Sequence, residues 1–388
     1  MITTVGSALL LAATVSSAST GSPFYGDPPD ERHAWAVHDH NRPQPPRVEP
    51  LPASSLDTKA PAGAVILCDG TEASLANWEA DKNGNEPTKW IIHDGAMECV
   101  PKSGYVRTKQ KFGDCQLHVE WAAPTPPQGE SQGRGNSGIF LMGAVEIQVL
   151  DNYNNPTYAD GFACSMYGVN PPKANALRPP GEFQCIDIEF RRPVYKDGQC
   201  VEPGYVTVKC NGILVQDHTQ IEGGTGHRGR SKPGPLPEVG PLKLQDHGNP
   251  VRFRNIWIRE LPPRSGAITT YGPLSASEVA AQRKETAATL RKDAATLTEP
   301  VAKATRLMES LVYENDAATL KQVEQMFGEY VGKLKALPAD KLNAAKDEAK
   351  RTAEYFGYMG KFKLLPEGFA PKAELTQFVK QQGWDKKK

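Results

Sequence analysis

Three groups of residues in this 388-residue chain have the types and spacing to do chemistry. The first is Glu146-x-Gln148-x-x-Asp151, with Arg134 and Asn136 just upstream. Alternate side chains of a strand share a face, so Glu146 and Gln148 stand side by side while Ile147 and Val149 take the other face. Glu146 and Asp151 are candidate acid and base. Gln148 cannot exchange a proton at neutral pH and is a candidate for positioning a ligand, as are Arg134 and Asn136. The second group is Asp246-His247-Gly248-Asn249-Pro250, followed by Arg252. Asp246 or a neighbour would orient the His247 imidazole and tune it toward neutrality, making it the candidate base among eight histidines. Arg252 would polarise a carbonyl or a sugar hydroxyl, or equally pair with a carboxylate on the sheet. The third group is Tyr167, Asn175 and Arg178 in a Pro-rich loop, a composition that suits the wall of a sugar cleft. Each group has a plainer reading as a solvent-facing polar row, a turn histidine or an ordinary loop.

The elements that must position these groups change character along the chain. Residues 19–63 are rich in Pro and charge and read as an extended arm, with His33, His38 and His40 dispersed in it. Residues 64–262 alternate short apolar runs with Gly, Pro, Asn and Asp. Strands are expected at 64–68, 90–92, 104–108, 115–122, 138–142, 145–150, 184–191, 205–210, 213–217 and 251–260. Asn211-Gly212 between two of them is a two-residue hairpin signal, because both positions of that turn want positive φ. So many short strands with little helical periodicity predict a mainly β fold, a two-sheet antiparallel sandwich. From 274 to 388 the sequence becomes Ala-, Lys- and Glu-rich, predicting a small α-helical C-terminal region. Ser275 or Ser277 would cap a first helix to about Leu297, Thr298 with Pro300 would open a second, and Asp316 or Asp340 would start later ones.

Composition narrows the function classes. With 45 basic and 45 acidic residues the chain is neutral, which argues against a nucleic-acid partner. The apolar stretch Val5–Val15 and the small residues ending at Ala18 suit an export signal over residues 1–18, although no Lys or Arg precedes the stretch. A periplasmic or extracellular location follows as an expectation. No other apolar run reaches the ~18 residues of a transmembrane span. The seven cysteines form no Cys-x-x-Cys and no Cys/His cluster in sequence, so no zinc or iron–sulfur site is expected. Several sit in strand-like runs and read as small buried apolar residues.

Six motifs, taken in order, resemble the 3-keto-disaccharide hydrolase family, also described as 3-keto-glucoside 1,2-lyase and 3-keto-2-hydroxyglucal hydratase. They are Leu67-Cys68-Asp69-Gly70 with Trp78; Phe112-Gly113-Asp114 through Glu120-Trp121; Arg134-Gly135-Asn136-Ser137-Gly138-Ile139-Phe140-Leu141; Glu146 to Asp151; Pro179-Pro180-Gly181-Glu182-Phe183; and Gly240-Pro241-Leu242 through Asp246-His247-Gly248. The resemblance covers about residues 64–262. It implies a concanavalin A-like jelly-roll sandwich, a sugar substrate already oxidised at C3, and export. Jelly-roll glucanases use a similar acid-x-acid-x-x-acid row. Here Gln148 stands in the middle, which departs from the pair of carboxylates about 5 Å apart that a retaining glycosidase needs.

A 3-keto sugar opens another route, because the carbonyl acidifies the C2 hydrogen. A base removes that hydrogen, the C1 oxygen leaves, and water adds to the resulting enone. On this reading His247 or Glu146 takes the proton, the other or Asp151 protonates the leaving group, and Arg134 or Arg252 polarises the carbonyl. The rivals are a carbohydrate-binding module without turnover and an ordinary endoglucanase. No cofactor is required, although concanavalin-like sandwiches sometimes hold a structural calcium, for which Asp69 or Asp151 would be ligands. The helical tail has two uses open to it, docking on the sandwich or self-association.

Overall fold

The computed structural model describes residues 25–52, 58–82, 84, 86–264 and 274–385; the expected export signal at 1–18 lies outside them. Strands are numbered in chain order. One antiparallel sheet has the order β13 (Ile213–Ile221), β12 (Gly204–Cys210), β9 (Gln184–Arg191), β6 (Cys115–Ala122), β15 (Arg252–Glu260), β4 (Ala96–Glu98), β3 (Ile91–His93), with β1 (Val65–Cys68) also paired to β15. The second sheet has the order β2 (Trp78–Ala80), β5 (Val106–Phe112), β14 (Gly240–Leu244), β7 (Ser137–Leu141), β8 (Val145–Val149). A short hairpin, β10 (Val194–Lys196) and β11 (Gln199–Glu202), stands apart. The protein is therefore a two-sheet jelly-roll sandwich with a helical C-terminal region.

Alternation drives the assembly. Inward residues of both sheets, among them Trp78, Leu117, Val119, Trp121, Ile139, Ile147, Val149, Ile186, Leu242 and Phe253, form one buried core. Asn211 and Gly212 take φ of 49° and 81°, the turn that the hairpin between β12 and β13 demands. Sequence patterning misses β14, because Gly240 and Pro241 read as loop. Pro241 is accommodated by a register shift between Pro241 and Lys243 where β14 meets β5. That strand lies at the centre of the five-stranded sheet.

The tail forms α1 (Ala276–Thr296), α2 (Pro300–Ser310), α3 (Ala317–Lys335), α4 (Ala339–Lys361) and α5 (Ala370–Gln381). Ser275 and Glu278 make a reciprocal capping box on α1, Pro300 opens α2, and the Asp316 side chain caps α3. Its own core centres on Val323, Phe327, Phe356, Met359 and Leu375. No helix among the described residues is long and apolar enough to cross a membrane.

The Pro-rich arm departs most from expectation. Its composition cannot build a core, yet it completes two others. Trp35 packs on the helical core, Tyr25 donates to Glu309, Tyr313 donates to Asp39, and the Tyr358 hydroxyl donates to the Gly26 carbonyl. On the sandwich side, Gln44 donates to the Thr157 carbonyl and Arg42 to the Val169 carbonyl. Two of the arm's three histidines are not dispersed solvent groups either, while His40 is exposed. His33 lies between Asp30 (2.7 Å) and Glu222 (3.0 Å), and His38 is buried against Asp160 at 3.2 Å.

Candidate active site

Register across the five-stranded sheet aligns Glu79, Arg107, Lys243, Phe140 and Glu146 in one transverse line on the face turned away from the core. Arg107 and Lys243 are matched at one end by Glu79 and Asp81. Glu146 stands at the other end with no ion-pair partner among the described residues. Its carboxyl is buried, and burial alone pushes its pKa from 4.5 to about 8, so it is protonated at neutral pH.

The space over Glu146 is kept open by Gly138, directly opposite Gln148 on β7. A Cβ there would sit 2.3 Å from Glu146 Oε1 and 3.0 Å from Phe140 Cε2, so the glycine marks a close approach inside a strand. Gly138→Ala is therefore expected to displace the carboxyl and lower kcat about 10²-fold while the fold persists, measured by turnover and circular dichroism.

Around the carboxyl lies a set of amides. Gln148 Nε2 donates to Gln132 Oε1 (2.9 Å), and Asn136 Nδ2 donates to the Gln132 carbonyl (2.7 Å). Gln132 is fixed in turn by donating to Thr157 Oγ1 (3.1 Å) and the Gly161 carbonyl (3.0 Å). Gln245 Nε2 donates to the Tyr105 hydroxyl at 2.7 Å. With their nitrogens engaged, the side-chain oxygens of Asn136, Gln148 and Gln245 are buried with no hydrogen-bond donor among the described residues. Three such acceptors beside a protonated carboxyl form a surface that takes hydroxyl donors.

One wall is the loop through Tyr158 and Tyr167. Tyr167 N–H donates to the Glu146 carbonyl (3.1 Å), and its hydroxyl lies 2.9 Å from that of Tyr158 and 3.2 Å from His227 Nδ1. The His227 loop is tied alongside because Glu146 N–H donates to Thr225 Oγ1 (2.9 Å). Burial, and then repulsion from His38 and Arg228, lowers the His227 pKa, so its ring is neutral at pH 7. Behind this wall the arm contributes His38, stacked on Tyr158 with centroids 4.1 Å apart. An acid held protonated on β8 and an imidazole held neutral on the neighbouring loop are thus linked through Tyr167.

The residues expected from sequence divide between this site and other places. Glu146, Gln148, Asn136 and Tyr167 converge here. His247 is exposed in its turn, near enough to His227 to depress that ring's pKa. Asp246 does not orient it: its two oxygens accept N–H groups of Gly104 and Gly248, both at 2.9 Å. Asp151 is no free acid, since it is buried and ion-paired with Arg134 Nε at 2.9 Å; Arg134 also donates to the Tyr153 carbonyl. Asn175 and Arg178 hold loops together. Asn175 bonds the Asn152 carbonyl and the Leu177 N–H, and Arg178 is buried, donating to Asn211 and the Leu51 carbonyl. Arg252 lies on the other sheet, on β15, with its guanidinium 5.5 Å over the Phe183 ring. For calcium the residues do not fit: Asp151 is taken by Arg134, and Asp69 is exposed and accepts from its own turn at Thr71.

Sequence reasoning missed Gln132, Gly138, Tyr158, His227 and Gln245. Gln132 and His227 lie in glycine-rich loops whose placement no periodicity encodes.

The family model of the 3-keto-alpha-glucoside-1,2-lyase-like domain matches residues 63–259. The chain belongs to that family. For this lyase-like domain, a candidate glycosyl hydrolase from Parabacteroides distasonis ATCC 8503 offers a solved structure at 44% identity and a TM-score of 0.50, covering 57% of this chain and 93% of that one. A 3-keto-disaccharide hydrolase of Bacteroides thetaiotaomicron is 25% identical over 249 residues, 51% of this chain and 79% of that protein. Glu146, the amide cluster and His227 all fall inside the matched span of the lyase-like domain.

Proposed function

We propose that the protein is a sugar-acting enzyme that cleaves the glycosidic bond of 3-keto-glycosides by elimination across C2 and C1, followed by hydration. The observation that carries this reading is the protonated Glu146 carboxyl set among three unpaired amide oxygens, and the names of its relatives support the substrate class.

The chemistry follows from the protonation states. Neutral His227, its Nδ1 facing the Tyr167 hydroxyl, removes the C2 hydrogen, and the electron pair is delocalised onto the C3 carbonyl oxygen. The carbonyl re-forms, a C1–C2 double bond appears, and the C1 oxygen leaves with the proton of Glu146. Glu146 is then a desolvated carboxylate, basic enough to take a proton from water adding at C1. His227 is exposed, so the proton it took exchanges with solvent, and a solvent-derived proton is delivered to C2. The sum is hydrolysis with both groups restored.

Two measurements on a 3-keto-glucoside test this. Run in D₂O and followed by NMR, the reaction should place deuterium at C2 of the product; a product without it rules out elimination. His227→Asn should lower kcat about 10²–10⁴-fold, while His247→Gln at the exposed turn should stay within a few-fold of the parent. The reverse order would return the base to His247. Binding of sugar with no product in any 3-keto substrate would leave a lectin-like module instead.

A further inference from the structure

The outer face of the eight-stranded sheet carries a second cluster of chemistry-bearing side chains. On β6, Leu117, Val119 and Trp121 point into the core, which turns His118 and Glu120 outward; on β9, Ile186 and Ile188 point inward and Cys185 and Asp187 outward. The register pairs His118 with Asp187 and Glu120 with Cys185. Three donor atoms converge as a result. His118 Nδ1 is 2.7 Å from Asp187 Oδ1, and Cys185 Sγ is 3.5 Å from Asp187 Oδ2 and 3.8 Å from His118 Nδ1.

We propose that Cys185, His118 and Asp187 form a site for one divalent ion of the zinc class, with a fourth position open to water. Tetrahedral zinc at about 2.3 Å from sulfur and about 2.0 Å from nitrogen or oxygen separates its donors by roughly 3.3–3.5 Å, so small side-chain adjustments reach this geometry. Cys185 and His118 are buried, and Asp187, 38% exposed, gives the ion a route from solvent. The mixed S, N, O donor set favours zinc or cobalt over magnesium or calcium.

The surroundings are those of a built site. His118 Nε2, the nitrogen turned away from the donors, faces Glu120 Oε1 at 3.5 Å, and the ring is stacked on Trp257 with centroids 5.2 Å apart at 6°. Glu120 is held by Arg254 at 2.8 Å and by Asn255 at 2.9 Å. Outer partners of this kind fix the orientation of a ligating ring. Because Arg254 matches Glu120, a thiolate and the Asp187 carboxylate are left to neutralise the ion. On loading, the Cys185 thiol proton and the proton between His118 and Asp187 pass to solvent, three coordinate bonds form, and no group is oxidised or reduced. The rival occupant is that shared proton.

Titration of the purified full-length chain with Co(II) tests the proposal. One equivalent should bind with a thiolate-to-cobalt charge-transfer band, and added zinc should bleach it. Cys185→Ser should abolish the band, and Asp187→Asn should weaken binding by at least about tenfold. His118→Gln should do the same; if it fails to fold, the other two variants carry the test. A parent protein that takes up no cobalt, or a folded Cys185→Ser that keeps the band through another of the seven cysteines, overturns the assignment.

Discussion

Glu146→Gln should sharply lower turnover and stabilise the protein in the same step. The parent carboxyl has a pKa of about 8 in the fold against an ordinary 4.5, with burial as its cause. Between those two values the folded state holds a proton that the unfolded state has lost, so stability falls as pH rises, by up to about 1.4 kcal/mol per pH unit. Below 4.5 both states are protonated and the penalty vanishes; above about 8 both are ionised and it stays constant. An amide at 146 never ionises. Urea unfolding at several pH values should therefore show parent and variant converging at pH 4 and separating by several kcal/mol by pH 8, the variant being the more stable. Turnover should fall about 10²–10⁴-fold with the loss of the proton donor, and the parent's own kcat should decline as pH passes 8. Parallel stability curves would mean that Glu146 is not desolvated, and undiminished turnover would remove it from the reaction.

Arg134→Met should be among the most destabilising substitutions on the polar face of the sandwich, costing about 3–5 kcal/mol. Its guanidinium lies 2.9 Å from a buried Asp151 carboxylate, and removing it leaves that charge uncompensated. The double variant Arg134→Met with Asp151→Asn should recover most of the loss, because Asn keeps the oxygen that accepts the Tyr153 N–H. Urea midpoints of the two singles and the double close the cycle. An Arg134 variant of unchanged stability but weakened sugar binding would instead return the residue to the ligand-binding role that its position upstream of the strand suggested.

Much of the fold was legible because it rests on local rules. Period-two runs located ten of the fifteen strands, Asn211-Gly212 fixed a hairpin, and Ser275 with Glu278 opened the first helix. The strands that were missed are three or four residues long, or, like β14, begin with Gly-Pro and hold their place by pairing on both sides. Glu146 and Gln148 were also legible, since neighbours on one face of a strand are neighbours in sequence.

What the sequence alone determined about this protein is its set of faces: which residues of each strand turn inward, where helices start, and that a carboxyl and an amide share a polar row. Only the tertiary structure decided what those groups meet. His227, Gln132 and Gln245 join Glu146 through loops and strands far apart in the chain, Arg252 is carried to the opposite sheet, and the arm's His38 is buried behind Tyr158. The physical reason is that protonation state and partnership depend on burial and on through-space neighbours. Glu146 is an acid at neutral pH because the fold buries its carboxyl, a fact that strand periodicity does not contain.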